Sequence, residues 1–227
     1  MMKRTTIAAA MLSLVIAAPV RAETPRELLL DAAFDTHDKA NALKRIDQAQ
    51  GAATAQLART PADRDARLSM AMAVGYRAKL TRSRGEAMSA KRLFDGLAAT
   101  DPRDPEAAAA VGCWHLDSVI ELGGMIAGMA LGAKKATGLA AMDRAVALGG
   151  GRAMFPGLAG LLRIAIDPAD ARGRALIDMT TRAQTPEKVD KLFQRSAAAV
   201  LAQLRAGRGE LAQELAKELL PFGKVKR

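Results

Sequence analysis

From residue 25 onward, apolar residues recur every three or four positions, and each such stretch is introduced by a marked helix start. Thr24-Pro25-Arg26-Glu27 joins an N-cap hydroxyl, a first-turn proline and a Glu spaced to return to the cap. Thr60-Pro61, Asp104-Pro105, Asp167-Pro168 and Thr185-Pro186 repeat the cap-then-proline device, and Ser83-Arg84-Gly85-Glu86 reads as a second capping box. Leu68, Met72 and Gly75 fall on one helical face, and Ala90, Leu93, Phe94 and Leu97 on another. Val189, Leu192, Phe193, Ser196, Val200 and Leu204 make the longest stripe; Leu211, Leu215 and Leu219 make the last. The pattern predicts helices over 25–35, 37–59, 61–80, 84–99, 105–121, 126–148, 152–166, 168–182, 186–206 and 208–220. The loops between them are short, which folds successive helices back as antiparallel hairpins. The period-two alternation and tight-turn dipeptides of β structure are missing. The expected fold is therefore all-α, a single domain over 23–221 followed by a basic tail, 222–227. Lys224-Val225-Lys226-Arg227 reads as a solvated end.

Residues 1–22 break this pattern. Lys3 and Arg4 precede an apolar run from Ile7 to Ala18, and Pro19-Val20-Arg21-Ala22 places small residues where a signal peptidase reads them. The run is too short to span a bilayer. The expectation is a cleavable signal peptide, cut after Ala22, and a periplasmic location with no transmembrane segment in the remainder. The single cysteine, Cys113, rules out an internal disulfide, so the fold must rest on packing alone.

Composition narrows the function classes. Half the residues are apolar but only 3% are aromatic, and Ala and Leu dominate, as suits helices. Base-stacking platforms and sugar clefts need rings, so nucleic acid is not an expected partner. The net charge of +10 falls to +7 without Lys3, Arg4 and Arg21. An exported basic protein would meet lipid headgroups, cell-wall polymers or acidic protein faces, although solubility and a general Arg bias are the commoner reason for such a charge.

Small residues recur where helices must approach, at Ala90, Ala110, Ala145, Ala197 and Ala212, and helix pairs end in Asp101-Pro102, Asp167-Pro168 and Leu220-Pro221. That is the logic of the tetratricopeptide repeat, at an irregular spacing. The run Ala73-Val74-Gly75-Tyr76-Arg77-Ala78-Lys79-Leu80-Thr81-Arg82-Ser83-Arg84, then Arg92-Leu93-Phe94, Asp101-Pro102-Arg103-Asp104-Pro105 and Gly112-Cys113-Trp114-His115-Leu116, resembles exported tetratricopeptide-like proteins of proteobacteria. The resemblance covers roughly residues 25–221. It implies an α-solenoid scaffold of tetratricopeptide-like hairpins without assigned chemistry. A remoter, architectural likeness is to helical-repeat partner proteins of periplasmic solute transporters.

Four features are candidates for function. Leu122 to Ala133 carries no charge, and Gly124, Gly128 and Gly132 recur every fourth residue. On one helix they would admit a close crossing inside the protein; with Met125 and Met129 they would alternatively line an apolar pocket, or touch a membrane. Cys113 and His115 are chemically capable, but neighbouring helical residues point about 100° apart, which favours a buried thiol and a hydrogen-bonded imidazole over a nucleophile pair. Arg77, Lys79, Arg82, Arg84, Lys91 and Arg92 cluster at one helix junction, where they either complement a helix C-terminus or dock an anionic partner. Carboxylate pairs such as Asp35 and Asp38, or Glu210 and Glu214, sit as exposed helix faces normally place them.

These readings point to a non-enzymatic scaffold or adaptor without cofactor or metal, binding an envelope protein or peptide on a surface that includes Tyr76, Arg77, Arg82, Arg84, Trp114 and Asp117. The alternative is a carrier of a small apolar ligand, or a partner of a periplasmic transporter, with segment 122–133 walling the pocket.

Overall fold

The structure, a computed structural model, describes residues 23–225. The expected signal peptide, with its cleavage after Ala22, lies outside the described residues, as do Lys226 and Arg227. Eleven α-helices make up the described chain: α1 Pro25–Leu30, α2 Lys39–Arg59, α3 Arg64–Thr81, α4 Arg84–Thr100, α5 Pro105–Leu122, α6 Gly124–Leu131, α7 Lys135–Leu148, α8 Met154–Ile166, α9 Ala171–Thr180, α10 Lys188–Arg205 and α11 Gly209–Leu219. A π-helical turn over Asp31–Asp35 extends α1. No strand forms among the described residues beyond an isolated bridge between Arg152 and Gln184. The all-α expectation holds.

Local chemistry explains where helices start. Thr24 Oγ1 accepts the Glu27 N–H at 3.2 Å while Glu27 Oε2 accepts the Thr24 N–H at 2.7 Å, a complete capping box. Ser83 caps α4, but the reciprocal half expected from Glu86 is diverted: its Oε1 takes the Arg77 Nε–H at 2.6 Å. The expected starts at Pro61, Pro168 and Pro186 are corrected to later ones, with Asp63, Asp170 and Glu187 as N-caps.

At Pro61 and Pro168 the reason is a corner that the chain uses three times. In Thr60-Pro61-Ala62-Asp63, Asp101-Pro102-Arg103-Asp104 and Asp167-Pro168-Ala169-Asp170, the fourth residue donates its N–H to the first residue's carbonyl, at 3.0, 3.1 and 3.1 Å. Proline therefore sits inside a turn, in its preferred second position, rather than in the first helical turn. The closing Asp then caps the next helix, accepting from Ala66 at 2.9 Å, Ala107 at 3.2 Å and Gly173 at 2.7 Å. Pro105 alone of the marked prolines after Pro25 takes the first helical position.

The helix expected over 126–148 is two. Gly132 adopts φ +70°, the left-handed conformation that closes α6, and Gly123 adopts φ +77° with ψ 149°, a region open only to glycine, which separates α6 from α5.

Sequential helices pack as hairpins from α1 to α5; α5 then packs on α7, and α8 on α9, α10 and α11. Helix α8 is buried all round from Phe155 to Ala165, as its apolar sequence demands, and the one charge in that stretch, Arg163, is paired with Asp143 at 2.7 Å and Asp170 at 3.4 Å. The chain's far parts meet. The Phe222 N–H donates to the Ala33 carbonyl at 2.8 Å, Phe222 stacks edge-on against Tyr76 at 4.9 Å, and Phe34 against Phe193 at 5.8 Å. Phe222 and Val225 are buried in the same cluster as α1 and α2, so of the expected solvated end Lys224 is exposed, Val225 is not, and Lys226 and Arg227 lie outside the described residues. Apolar side chains that seal the open edge of a hairpin stack are worth more in the core than in water.

Candidate functional site

Two surfaces of different character are left by this packing. The first is a cleft of about 750 Å³ where the C-terminal ends of α3 and α5 face α11 and the closing segment. Ile120, Leu211, Leu215, Leu220 and Val225 form its apolar wall. Across it, Lys79 Nζ contacts Asp117 Oδ1 at 2.6 Å and Glu121 Oε1 at 3.7 Å. Gln203 also lines the cleft, and its buried Oε1 has no hydrogen-bond partner among the described residues. Charged lining side chains comprise Asp117, Glu121, Glu214 and Glu218 against Lys79 and Lys217, so the cleft is acidic on a chain whose net charge is +10.

The expected apolar stripe of α11 explains how the wall arises. Ala212 and Ala216 are fully buried, whereas Leu211 is 56% exposed. The stripe is wider than the face that the core can cover, and its uncovered flank lines the cleft.

The second surface is α6. Met125 is 80% and Met129 76% exposed, and Leu122 and Ile126 join them. No polar side chain occurs in Gly124–Leu131. The expected close crossing at these glycines is not formed: a Cβ at Gly124 or Gly132 would meet nothing within 4 Å, and one at Gly128 only the Ala133 carbonyl at 3.7 Å. Nor do Gly124, Met125, Gly128, Met129 or Gly132 line the 750 Å³ cleft or a smaller one of about 260 Å³ beside α1 and α10. Only Ala127 of α6 is buried, against the cluster that holds Trp114 and Phe94.

Close crossings occur at glycines that the sequence does not mark. Gly112 and Gly138 bring α5 and α7 together, and Gly157, Gly160 and Gly173 join α8 to α9 and α10.

The residues expected to form a partner surface do not share one. Asp117 lies in the acidic cleft, paired with Lys79. Tyr76 packs on Phe222, and burial pushes its phenol well above the usual tyrosine range. Arg77 is held by Glu86 at 2.6 Å and Gln50 at 2.6 Å. Trp114 is buried, and its Nε1–H donates to the Ala87 carbonyl at 2.8 Å. Arg82 is exposed at φ +57°, ending α3. Arg84 reaches α6, donating from Nε to the Ala130 carbonyl at 2.9 Å.

Cys113 and His115 take separate, structural environments. The His115 Nδ1 accepts the Lys134 N–H at 3.2 Å, which leaves the proton on Nε2, and burial together with Lys91 lowers its pKa. Burial, reinforced by Asp117 and opposed by Lys79, pushes the Cys113 thiol up to about 12. At neutral pH the thiolate population is negligible. A maleimide reagent at pH 7 should therefore leave Cys113 unmodified in the folded protein and modify it fully in denaturant, as read by intact-mass measurement. Fast labelling of folded protein would contradict that environment. Among the described residues, no three His, Cys, Asp or Glu side chains come together as a metal site, and no helix is long and apolar enough to cross a membrane.

The strongest ionic cluster is elsewhere. Arg64 forks onto Asp104 at 2.8 and 2.5 Å and reaches Glu106 at 2.6 Å, while Arg26 also holds Glu106, at 2.5 Å. Burial acts against the Asp104 charge, but the Arg64 bonds and two backbone N–H groups outweigh it and lower its pKa. All of these groups are mutually satisfied, so the cluster ties α1, α3 and α5 together. Comparison of the chain with protein-family profiles, with curated proteins and with solved structures returns no significant match.

Proposed function

We propose that the chain is a non-enzymatic helical scaffold of the bacterial envelope, a tetratricopeptide-like hairpin stack whose ends are drawn together, and that it binds a basic amphipathic segment of a partner protein in the acidic cleft. The carrying observation is the pairing, in one 750 Å³ cleft, of an apolar wall with an excess of carboxylates on an otherwise basic protein. The volume is that of a binding site, and a segment with leucine-like side chains on one face and lysines on the other would cover both surfaces. The export pattern of residues 1–22 supports the envelope assignment.

The test uses two synthetic helical peptides of equal length as probes, one built from Leu and Lys and the other from Leu and Glu. Fluorescence anisotropy should report binding of the Leu/Lys peptide only, weakening as salt is raised. Leu211→Asp combined with Glu218→Lys, two exposed positions, should weaken it by about tenfold or more. Equal binding of both peptides, or an unaffected double variant, would remove the cleft as the binding site.

A further inference from the structure

Helix α6 is the other unpartnered surface, and its surroundings say what covers it. Its eight residues, Gly-Met-Ile-Ala-Gly-Met-Ala-Leu, carry no polar side chain, and all but Ala127 are at least partly exposed. Flanking it, by contact or by adjacency in the chain, are Arg84, Arg82, Lys134 and Lys135, all four exposed. Arg84 is bonded to the Ala130 carbonyl at the end of α6, Arg82 lies two residues before it, and the two lysines follow within four residues of Leu131. None of the four has an ion-pair partner among the described residues. An apolar ridge ringed by unpaired cations is complementary to a surface whose outside is anionic and whose inside is hydrocarbon.

We infer that α6 is a membrane-contact element: it lays Met125, Ile126 and Met129 into the interfacial layer of a bilayer while Arg82, Arg84, Lys134 and Lys135 meet anionic phospholipid headgroups. At 1.5 Å per residue the helix is about 12 Å long, against a hydrocarbon core of about 30 Å, so it lies in one leaflet and does not span. Its interior backbone groups are bonded within the helix, which a lipid environment requires. Unbranched methionines adapt to disordered acyl chains without needing a shaped pocket.

Two other occupants fit less well. A second copy meeting α6 across a two-fold axis would set the four cations against their own equivalents. A ridge of this length is also small beside the roughly 800 Å² per partner of a stable interface. A protein partner would need a groove with an acidic rim, and the convex ridge offers it no polar group to fix a register.

The experiment places an environment-sensitive NBD fluorophore on the full chain at Met125→Cys in a Cys113→Ala background, with Met129→Cys in the native Cys113 background as the second variant should the first fail to fold. A label on α6 reports that helix alone, so vesicle binding through the apolar stretch of residues 1–22 does not mimic it. With vesicles of phosphatidylglycerol and phosphatidylcholine, the emission should shift to the blue, brighten at least about twofold, and be quenched by nitroxide-labelled lipid. Phosphatidylcholine alone should give little change. Lys134→Glu with Lys135→Glu should raise the lipid concentration at half-maximal shift by about tenfold or more, since each cation near such a surface contributes on the order of 1 kcal/mol. A probe that keeps its aqueous spectrum while the protein co-floats with vesicles would overturn the inference. So would an equal response to neutral vesicles, or a lipid-free shift that grows with protein concentration, which would instead identify a second copy as the occupant.

Discussion

Gly138→Leu and Gly160→Leu are each expected to leave no cooperative unfolding transition, whereas Gly128→Leu folds normally. A Cβ at Gly138 would stand 2.7 Å from Leu116 Cγ and Cδ2 and 2.9 Å from His115 Cβ. At Gly160 it would stand 2.9 Å from Ile177 Cγ1 and Cδ1 and 3.1 Å from the Ile177 backbone nitrogen. Leu116 and Ile177 are fully buried, so neither can move without disturbing other core residues. Overpacking by a single methyl costs about 1–3 kcal/mol, and Gly138→Ala should fall in that range. Leucine adds three more carbons, and a cost above about 4 kcal/mol consumes most of the stability of an ordinary domain. At Gly128 a Cβ would make one ordinary contact, 3.7 Å from the Ala133 carbonyl, and replacing a helical glycine raises stability by up to about 1 kcal/mol. Urea titrations followed by far-UV circular dichroism separate these cases. Equal midpoints for Gly128→Ala and Gly138→Ala would mean that the α5–α7 crossing is not as tight as described.

The second large effect is expected at Asp190, the one carboxylate whose side chain is wholly removed from solvent. It lies in the first turn of α10, yet its Oδ1 accepts the Met154 N–H at 3.0 Å, capping α8, whose own N-cap residue Ala153 offers no side-chain acceptor. Its Oδ2 accepts the Glu187 N–H at 3.1 Å, capping α10, and the Arg152 guanidinium lies at 3.2 Å. Asp190→Ala therefore removes the cap of α8 and half of the capping box of α10, and leaves Arg152 with Glu187, at 2.9 Å, as its remaining carboxylate, at an expected cost of about 2–4 kcal/mol. Combined with Arg152→Met it should cost less than the sum of the two single substitutions, because the Arg152–Asp190 contact can be lost only once. A double-mutant cycle on the unfolding free energy checks this. Strict additivity of the two substitutions would show that the ion pair contributes nothing and that Asp190 acts only as a cap.

Neither site is marked in the sequence, and the reason is the same. Asp190 reads as an ordinary acidic residue in a helix's first turn; that it also caps a helix starting thirty-odd residues earlier depends on how α8 meets α10. Gly138 stands singly and Gly157 and Gly160 make only a pair, while Gly124, Gly128 and Gly132 form the longer pattern. Spacing shows that glycines share a face, but a helix's period says nothing about which neighbour that face meets. The longer pattern ended in the open, and the less conspicuous glycines carry the crossings.

The candidate sites divide in the same way. Asp117 is in the cleft, but Tyr76, Arg77 and Trp114 are taken up by contacts with Phe222, Glu86 and Ala87. The cleft itself is assembled from α3, α5, α10, α11 and the closing segment, parts separated by up to about 140 residues, and no local motif announces it. Its one legible trace is the width of the α11 stripe.

By itself the sequence determined the secondary structure: which segments are helical, and, through the Thr24 box and the Ser83 and Asp104 caps, where several of them begin. Such choices are made within four residues, by backbone hydrogen bonds and side chains close enough to compete for them. Only the tertiary structure decided which small residues touch, that Phe222 closes onto Ala33, that carboxylates gather in one cleft, and that α6 stands uncovered among unpaired cations. Those outcomes depend on the rotation of each helix about its axis relative to partners far along the chain. That angle is set by the burial of all the faces together, so no local stretch encodes it.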